Sequence, residues 1–190
     1  MKDRRVLRAM RAVPRAAFVD PELRADAWQN RPLPIGGGQT ISQPLVVARM
    51  CELLELTGAE RVLDVGTGSG YHAALLARLG GRVWSVERDP ELAGRAARAL
   101  AETGVENVRL HVGDGAAGLP EAAPFDAINV AAVAPAVPAA LEAQLAPGGR
   151  LVLPVGAGDD QRLVLVRRSP DGTALERREL EGVRFVPLVS

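Results

Sequence analysis

From residue 61 onward, apolar residues fall in short, nearly unbroken runs, and the stretches between them carry helical spacing. The runs predict strands over 61–65, 82–86, 107–112, 125–130 and 149–155, and the intervening stretches predict helices over 70–79, 90–103 and 136–145. Gly104 is placed to end the second of these helices, and Gly148 with Gly149 to turn the chain into the fifth strand. VLDV, AINV and RLVLPV are apolar at almost every position, as strands are when helices cover both faces of a parallel sheet. After residue 156 the rhythm changes: RLVLVRR, a turn from Ser169 to Gly172 and ALERREL predict an antiparallel hairpin on one sheet edge. The fold class expected is α/β, a doubly wound, mostly parallel sheet of seven strands with that hairpin at its edge. In such sheets a ligand lies beyond the carboxyl ends of the strands, which gathers Asp64, Glu87, Asp114 and residues Val130 to Ala132 around one crevice.

The first 60 residues are less regular. Residues 3–12 read as a helix stopped at Val13-Pro14, because proline biases the residue before it away from the α region, and a short helix is expected from about 21 to 28. RPLPIGGGQTIS, Arg31 to Ser42, is either a flexible connector or a backbone that bends tightly against a ligand; its three glycines, Gly36 to Gly38, suit both. Pro44 then opens an amphipathic helix with Val47, Met50, Cys51 and Leu54 on one face and Gly58 as its terminator.

The most informative local chemistry is DVGTGSG, Asp64 to Gly70, lying between a strand and a helix, where backbone N–H groups meet a nucleotide-bearing cofactor. Its spacing is G-x-G-x-G, and Tyr71 stands where a dinucleotide fingerprint needs its third glycine, which favours S-adenosylmethionine over NAD. Glu87, ending the next strand, is spaced to grip a ribose diol in either class. Asp64 either caps the glycine turn or meets the cofactor's ammonium, and Asp114 either contacts an adenine edge beside Gly115 or forms a plain Asp-Gly turn. His72 and His111, the two histidines, pair with no serine, cysteine or carboxylate in the sequence pattern and read as packing or surface residues. A hydrolase or isomerase needs a base or nucleophile near neutrality. Methyl transfer to an ionised carboxylate needs neither.

Charge narrows the partners. Twenty-three basic and 23 acidic residues balance to zero, with no basic run, so no nucleic acid is expected. Lys2 is the one lysine, an arginine bias expected of a GC-rich bacterial genome. No apolar stretch approaches membrane-spanning length and the start lacks a leader-like run, so a cytoplasmic chain without membrane contact, acting as a monomer, is expected. Cys51 is the one cysteine, placed as a buried thiol, and no metal-ligand cluster is visible.

Five segments together carry a more specific signal: PLPIGGGQTISQP (32–44), VLDVGTGSGYHAA (62–74), VGDGAAGLPEAAPFDAINVAAVAPAVPAAL (112–141), QLAPGGRLVLPVG (144–156) and VRFVPL (183–188). With them the chain resembles the protein-L-isoaspartate O-methyltransferase family from end to end. The resemblance implies a class I, Rossmann-like methyltransferase sheet in a single domain over 1–190, with an N-terminal substrate or lid segment at 1–60, a cofactor core at 61–155 and a C-terminal hairpin and substrate strand at 156–190. It implies S-adenosyl-L-methionine as cofactor, S-adenosyl-L-homocysteine as product, and isoaspartyl proteins and peptides as partners. The methyl ester formed on the α-carboxylate then closes to a succinimide, whose hydrolysis returns part of the material to normal aspartate. By position, Ser42 corresponds to the serine that orients the acceptor, the alternative for this residue being a helix cap before Pro44. Gln39, Thr40, Ile41, Ser42, Asp64, Gly66, Ser69, Glu87, Arg88, Asp114 and Gly115 match cofactor positions, and Ser42, Arg184 and Val186 match substrate positions. The family's usual further N-terminal helix is not in the sequence, and Gly37 and Trp28 stand where many members have histidine and tyrosine. Methylation of a normal aspartate in a dedicated peptide, a silent cofactor-binding module and a dinucleotide-dependent reductase are the competing functions.

Overall fold

The computed structural model describes residues 2–189. Helix α1 (Arg4–Ala12) starts where the Asp3 carboxylate accepts from the Arg5 and Val6 backbone N–H groups, and it stops before Pro14. Two 3₁₀ turns follow, Arg15–Phe18 and Pro21–Asp26; the second stands where a helix is expected at 21–28, and it closes with the Ala27 N–H donating to the Arg24 carbonyl, the tighter i→i−3 pattern.

The proline- and glycine-rich stretch is a hairpin. Strands β1 (Leu33–Gly36) and β2 (Gln39–Ile41) pair antiparallel, with Leu33, Ile35 and Ile41 buried. Gly36, Gly37 and Gly38 hold φ values of 90°, 57° and 71°, a reversal that side chains resist. Helix α2 (Pro44–Leu53) buries Val47, Met50 and Cys51 as its spacing predicts, with Leu54 also buried, but it ends well before Gly58. Glu55 makes the exit instead, with φ at 48°, its carbonyl accepting from Arg150 Nη2 and its carboxylate paired with Arg167.

The main sheet is built from β3 (Arg61–Val65), β4 (Arg82–Glu87), β5 (Val108–Val112), β6 (Phe125–Val130), β7 (Leu145–Ala157), β8 (Asp160–Arg168) and β9 (Leu175–Gly182). Their order is β5-β4-β3-β6-β7-β8-β9; the first five run parallel, and β8 and β9 add the antiparallel hairpin. Helices α3 (Tyr71–Leu79) and α4 (Pro90–Glu102) connect β3 to β4 and β4 to β5, while α5 (Ala139–Ala143) precedes β7. This helix is shorter than the 136–145 expected, since Pro138 caps it and Gln144 turns away to accept from Phe125 N (2.8 Å) and to donate to the Ala117 carbonyl (2.8 Å). Strand β7 therefore begins at Leu145, earlier than expected, and bulges over Gly148 and Gly149 before rejoining β6.

Alternation along the strands divides the core. Leu63, Val65, Trp84, Val86, Ile128 and Val130 form one cluster with Leu141 of α5, whereas Val62, Val83 and Ala127 pack in the other with residues of α1 to α4. After β9 the chain returns over the sheet end: Val133 N donates to the Val186 carbonyl (2.9 Å) and Leu188 N to the Val133 carbonyl (2.8 Å). The C-terminal strand implied by the family pattern is thus an extended segment held by one bridge. Among the described residues no helix is long and apolar enough to cross a membrane.

Candidate active site

A cavity of about 360 Å³ opens beyond the carboxyl ends of β3 and β4. Strand β3 lies between β4 and β6, so the chain's crossovers leave it in both directions and part at this point, the crevice where open α/β sheets take ligands. The glycine turn from Gly66 to Ser69, the segment from Glu87 to Asp89, Gly115 and Ala131 with Ala132 form its walls. Gly37 and Gln39 to Ser42 from the β1–β2 hairpin, together with Val186 to Val189, enclose it from the other side. Of the residues expected from sequence, the fold brings together Gln39, Thr40, Ile41, Ser42, Gly66, Ser69, Glu87, Arg88, Gly115 and Val186.

Backbone conformation explains the turn. Gly66, Gly68 and Gly70 have φ of 84°, 53° and 89°, and a Cβ on Gly70 would stand 3.2 Å from the Ala96 Cβ of α4. Gly70 thus supplies the close helix approach that a dinucleotide fingerprint assigns to the next position, leaving that position free for Tyr71. The Glu87 carboxylate accepts from Gly68 N (2.8 Å) and Asp89 N (3.0 Å), tying the glycine turn to the start of α4. Gly115 packs so tightly that a Cβ there would lie 2.5 Å from Val65 Cγ1. Ser42 faces the cavity and does not cap α2; the N-cap position belongs to Gln43, which makes no side-chain cap bond. The Ser42 carbonyl is held instead by Arg15 Nη2 at 2.8 Å.

The family model for protein-L-isoaspartate(D-aspartate) O-methyltransferase matches residues 1–190. The chain belongs to the protein-L-isoaspartate O-methyltransferase family. A relative of that name from Anaeromyxobacter dehalogenans is 62% identical over 190 residues, spanning 99% of this chain and 90% of its own. A solved protein-L-isoaspartate O-methyltransferase superposes with a TM-score of 0.88 at 29% identity, covering 99% of this chain and 62% of its own length. A second, from Plasmodium falciparum and solved in complex with S-adenosyl-L-homocysteine, gives a TM-score of 0.84 at 25% identity, over 100% of this chain and 92% of its own. With such coverage the likeness to this methyltransferase family includes the hairpin and C-terminal segment that enclose the cavity as well as the sheet.

Three expected residues do not reach the cavity in this family member. Asp64 is fully buried, because Val65 still continues the strand and the Asp64 side chain leaves through the sheet face rather than from its end. Asp114 is exposed and accepts from Ala116 N at 2.9 Å, the capped Asp-Gly turn, while its neighbour Gly115 takes the wall position. Arg184 points to solvent with its side chain 74% exposed and pairs with Asp159. Val130, expected in the crevice, is buried in the core, and Ala131 and Ala132 after it line the wall.

His72, expected to be a packing or surface residue, belongs instead to a buried polar rung behind the wall that it helps to form. Asp64 is in register with Ser85 on β4 and Asn129 on β6, so the three side chains share one sheet face. Ser85 Oγ donates to Asp64 Oδ2 (2.7 Å) and Asn129 Nδ2 donates to Asp64 Oδ1 (2.8 Å). With its proton committed, Ser85 accepts from Thr67 Oγ1 at 2.6 Å. The second Asn129 amide proton meets His72 Nδ1 at 3.2 Å, which leaves the His72 proton on Nε2, 3.5 Å from Cys51 Sγ. Burial pushes the Cys51 thiol up and keeps it protonated. A register reading across β3, β4 and β6 is the signal that finds this rung. No group of three histidine, cysteine or acidic side chains among the described residues is arranged to hold a metal ion.

Two members of the rung titrate in opposite senses. Burial, helped by the charge of Arg15, pulls His72 from 6.5 down to about 3. Asp64 goes from 3.8 up to about 6, driven by burial against the opposing bonds from Asn129 and Ser85. Between 3 and 6.5 the unfolded chain holds a His72 proton that the folded chain lacks, so the His72 contribution is complete above 6.5 and is lost as pH falls. Asp64 acts conversely: its contribution is complete below 3.8 and is lost as pH rises through about 6. His72→Gln keeps an acceptor for Asn129 and removes the first contribution alone. Denaturant unfolding from about pH 4 to about pH 7 is expected to show wild type gaining stability on this variant as pH rises. A pH-independent difference would mean that folded His72 titrates as an exposed imidazole does.

Proposed function

We propose that this family member transfers a methyl group from S-adenosyl-L-methionine to the α-carboxylate of L-isoaspartyl residues in damaged proteins and peptides. The reading is carried by one observation: Ser42, from the acceptor-side GQTIS segment, and the glycine turn wall the same cavity. The relative solved with S-adenosyl-L-homocysteine supports the cofactor assignment. The walls fit such a molecule, since the volume lies in the range of small-ligand sites and both Glu87 oxygens keep a free lone pair beside their backbone donors.

When bound, S-adenosylmethionine supplies an electrophilic methyl on a sulfonium and leaves as neutral S-adenosyl-L-homocysteine. Glu87 is assigned to the ribose hydroxyls; Gln39, Thr40, Ile41, Gly66, Ser69, Arg88 and Gly115 line the rest of the cofactor site. Asp64 supports the turn through the buried rung, and Asp114 through the capped turn that presents Gly115. Ser42 orients the acceptor, beside which Val186 offers extended backbone. The acceptor carboxylate, with an ordinary pKa near 4, is ionised at neutrality and needs no base. His72 is held neutral, Tyr71 is pushed up by burial, and neither is assigned a proton transfer.

Methyl transfer to an isoaspartyl peptide, measured as base-released methanol, tests the reading, and transfer to small carboxylic acids alone would overturn it. For the cofactor side, calorimetry is expected to show S-adenosyl-L-homocysteine binding and no measurable NAD binding. Glu87→Ala removes charge-assisted bonds worth about 1.5–3 kcal/mol each and is expected to weaken S-adenosyl-L-homocysteine by an order of magnitude or more. An unchanged dissociation constant would leave Glu87 only its role in tying Gly68 to Asp89.

A further inference from the structure

Arg15 is fully buried, yet its hydrogen bonds go to carbonyls: Nε donates to Ala27 (2.7 Å) and Nη2 to Ser42 (2.8 Å), while Nη1 has no partner. It takes part in no ion pair among the described residues. Its guanidinium carbon lies 4.9 Å from the centroid of the Tyr71 ring. Burial lowers its pKa only to about 10, so the charge persists at neutral pH. An uncompensated buried cation is costly, and two carbonyls and an aromatic face offset that cost only in part. The residues that the guanidinium touches show where a counter-charge fits. Ser42 and Tyr71 both line the cavity, so the charge stands one layer of protein behind the acceptor wall.

We propose that Arg15 is a positioning and specificity-determining residue: it fixes the Ser42 backbone, and its charge makes the cavity select an anionic acceptor over a neutral one. The inference rests on the acceptor reading given above and names what that reading lacks, the source of preference for a carboxylate. A bound α-carboxylate near Ser42 becomes the counter-ion that the folded chain does not itself provide. Because Arg15 is buried, at reduced dielectric its charge acts through the intervening layer.

The test compares an isoaspartyl peptide with the same peptide carrying an α-carboxamide, both bound in the presence of S-adenosyl-L-homocysteine. Wild type is expected to prefer the carboxylate by about tenfold or more. Arg15→Gln is expected to lose that preference while keeping its affinity for S-adenosyl-L-homocysteine; Arg15→Lys is expected to keep the preference but turn over more slowly, since one ammonium cannot hold both carbonyls as the guanidinium fork does. An undiminished preference in Arg15→Gln, equal binding of both peptides by wild type, or a loss confined to S-adenosyl-L-homocysteine would each overturn the proposal. Should Arg15→Gln not fold, a folded Arg15→Lys that has lost the preference overturns it too, and one that keeps the preference with slowed turnover supports it. If wild type binds neither peptide, the acceptor reading itself fails and the inference falls with it.

Discussion

Ser42→Ala is expected to slow methyl transfer by about 10- to 100-fold while leaving the melting temperature and the affinity for S-adenosyl-L-homocysteine close to wild type. The rate loss corresponds to one hydrogen bond to a charged group, about 1.5–3 kcal/mol, made where the acceptor must be aligned. The unchanged stability follows from the fold. Before Pro44 a serine ordinarily suggests a helix cap, whose removal costs about 1 kcal/mol. Here the cap position is Gln43, and the Ser42 main chain is held by Arg15, a bond that alanine keeps. The two roles therefore separate in one experiment that combines thermal unfolding, calorimetry and initial rates with an isoaspartyl peptide. Full activity with lowered stability would remove Ser42 from the mechanism and return it to local structure.

The sheet was legible because its strands obey a single rule. VLDV, AINV and RLVLPV are apolar at almost every position and lie covered on both faces, so their pattern survives any detail of packing. Ends of elements were less legible, since contacts distant in sequence set them: α2 stops at a non-glycine residue fixed by Arg150 and Arg167, and α5 yields to the tie between Gln144 and Phe125. The β1–β2 hairpin was hidden under its glycines, although Leu33, Ile35 and Ile41 give the alternation of two short strands.

At the site, the three acidic residues look equivalent in the sequence because each falls near a strand end, yet an offset of one or two residues changes the outcome. Glu87 is the last residue of β4 and reaches the cavity. Asp64 is followed by one more strand residue and points into the sheet face, whereas Asp114 lies beyond β5 and turns to cap Ala116. Period-two geometry, applied across neighbouring strands, is what links Asp64 to Asn129 and through it to His72. Arg15 had no sequence signal of this kind, because its partners are carbonyls of Ala27 and Ser42, and backbone atoms leave no trace in residue identity.

An isoaspartyl peptide is expected to be methylated at least about a hundredfold faster than the matching aspartyl peptide. In the isoaspartyl residue the chain continues through the side-chain carboxyl, so the free α-carboxylate hangs directly from Cα; in normal aspartate the free group is instead the β-carboxylate, one C–C bond farther out, about 1.5 Å. A misplacement near 1 Å costs about a hundredfold when catalysis rests on alignment. Alignment is what this cavity supplies, walled together by Ser42, the extended segment at Val186 and the glycine turn. As the acceptor is ionised well below neutrality, the rate should show no requirement for a general base titrating near pH 7. The product ester should release methanol without added enzyme as the neighbouring amide closes on it to form the succinimide. Paired peptides, initial rates and methanol capture measure all three outcomes together. Equal rates for the two peptides, or an ester stable in mild base, would transfer the chemistry to a dedicated aspartyl or small-molecule acceptor, whatever the cofactor site binds.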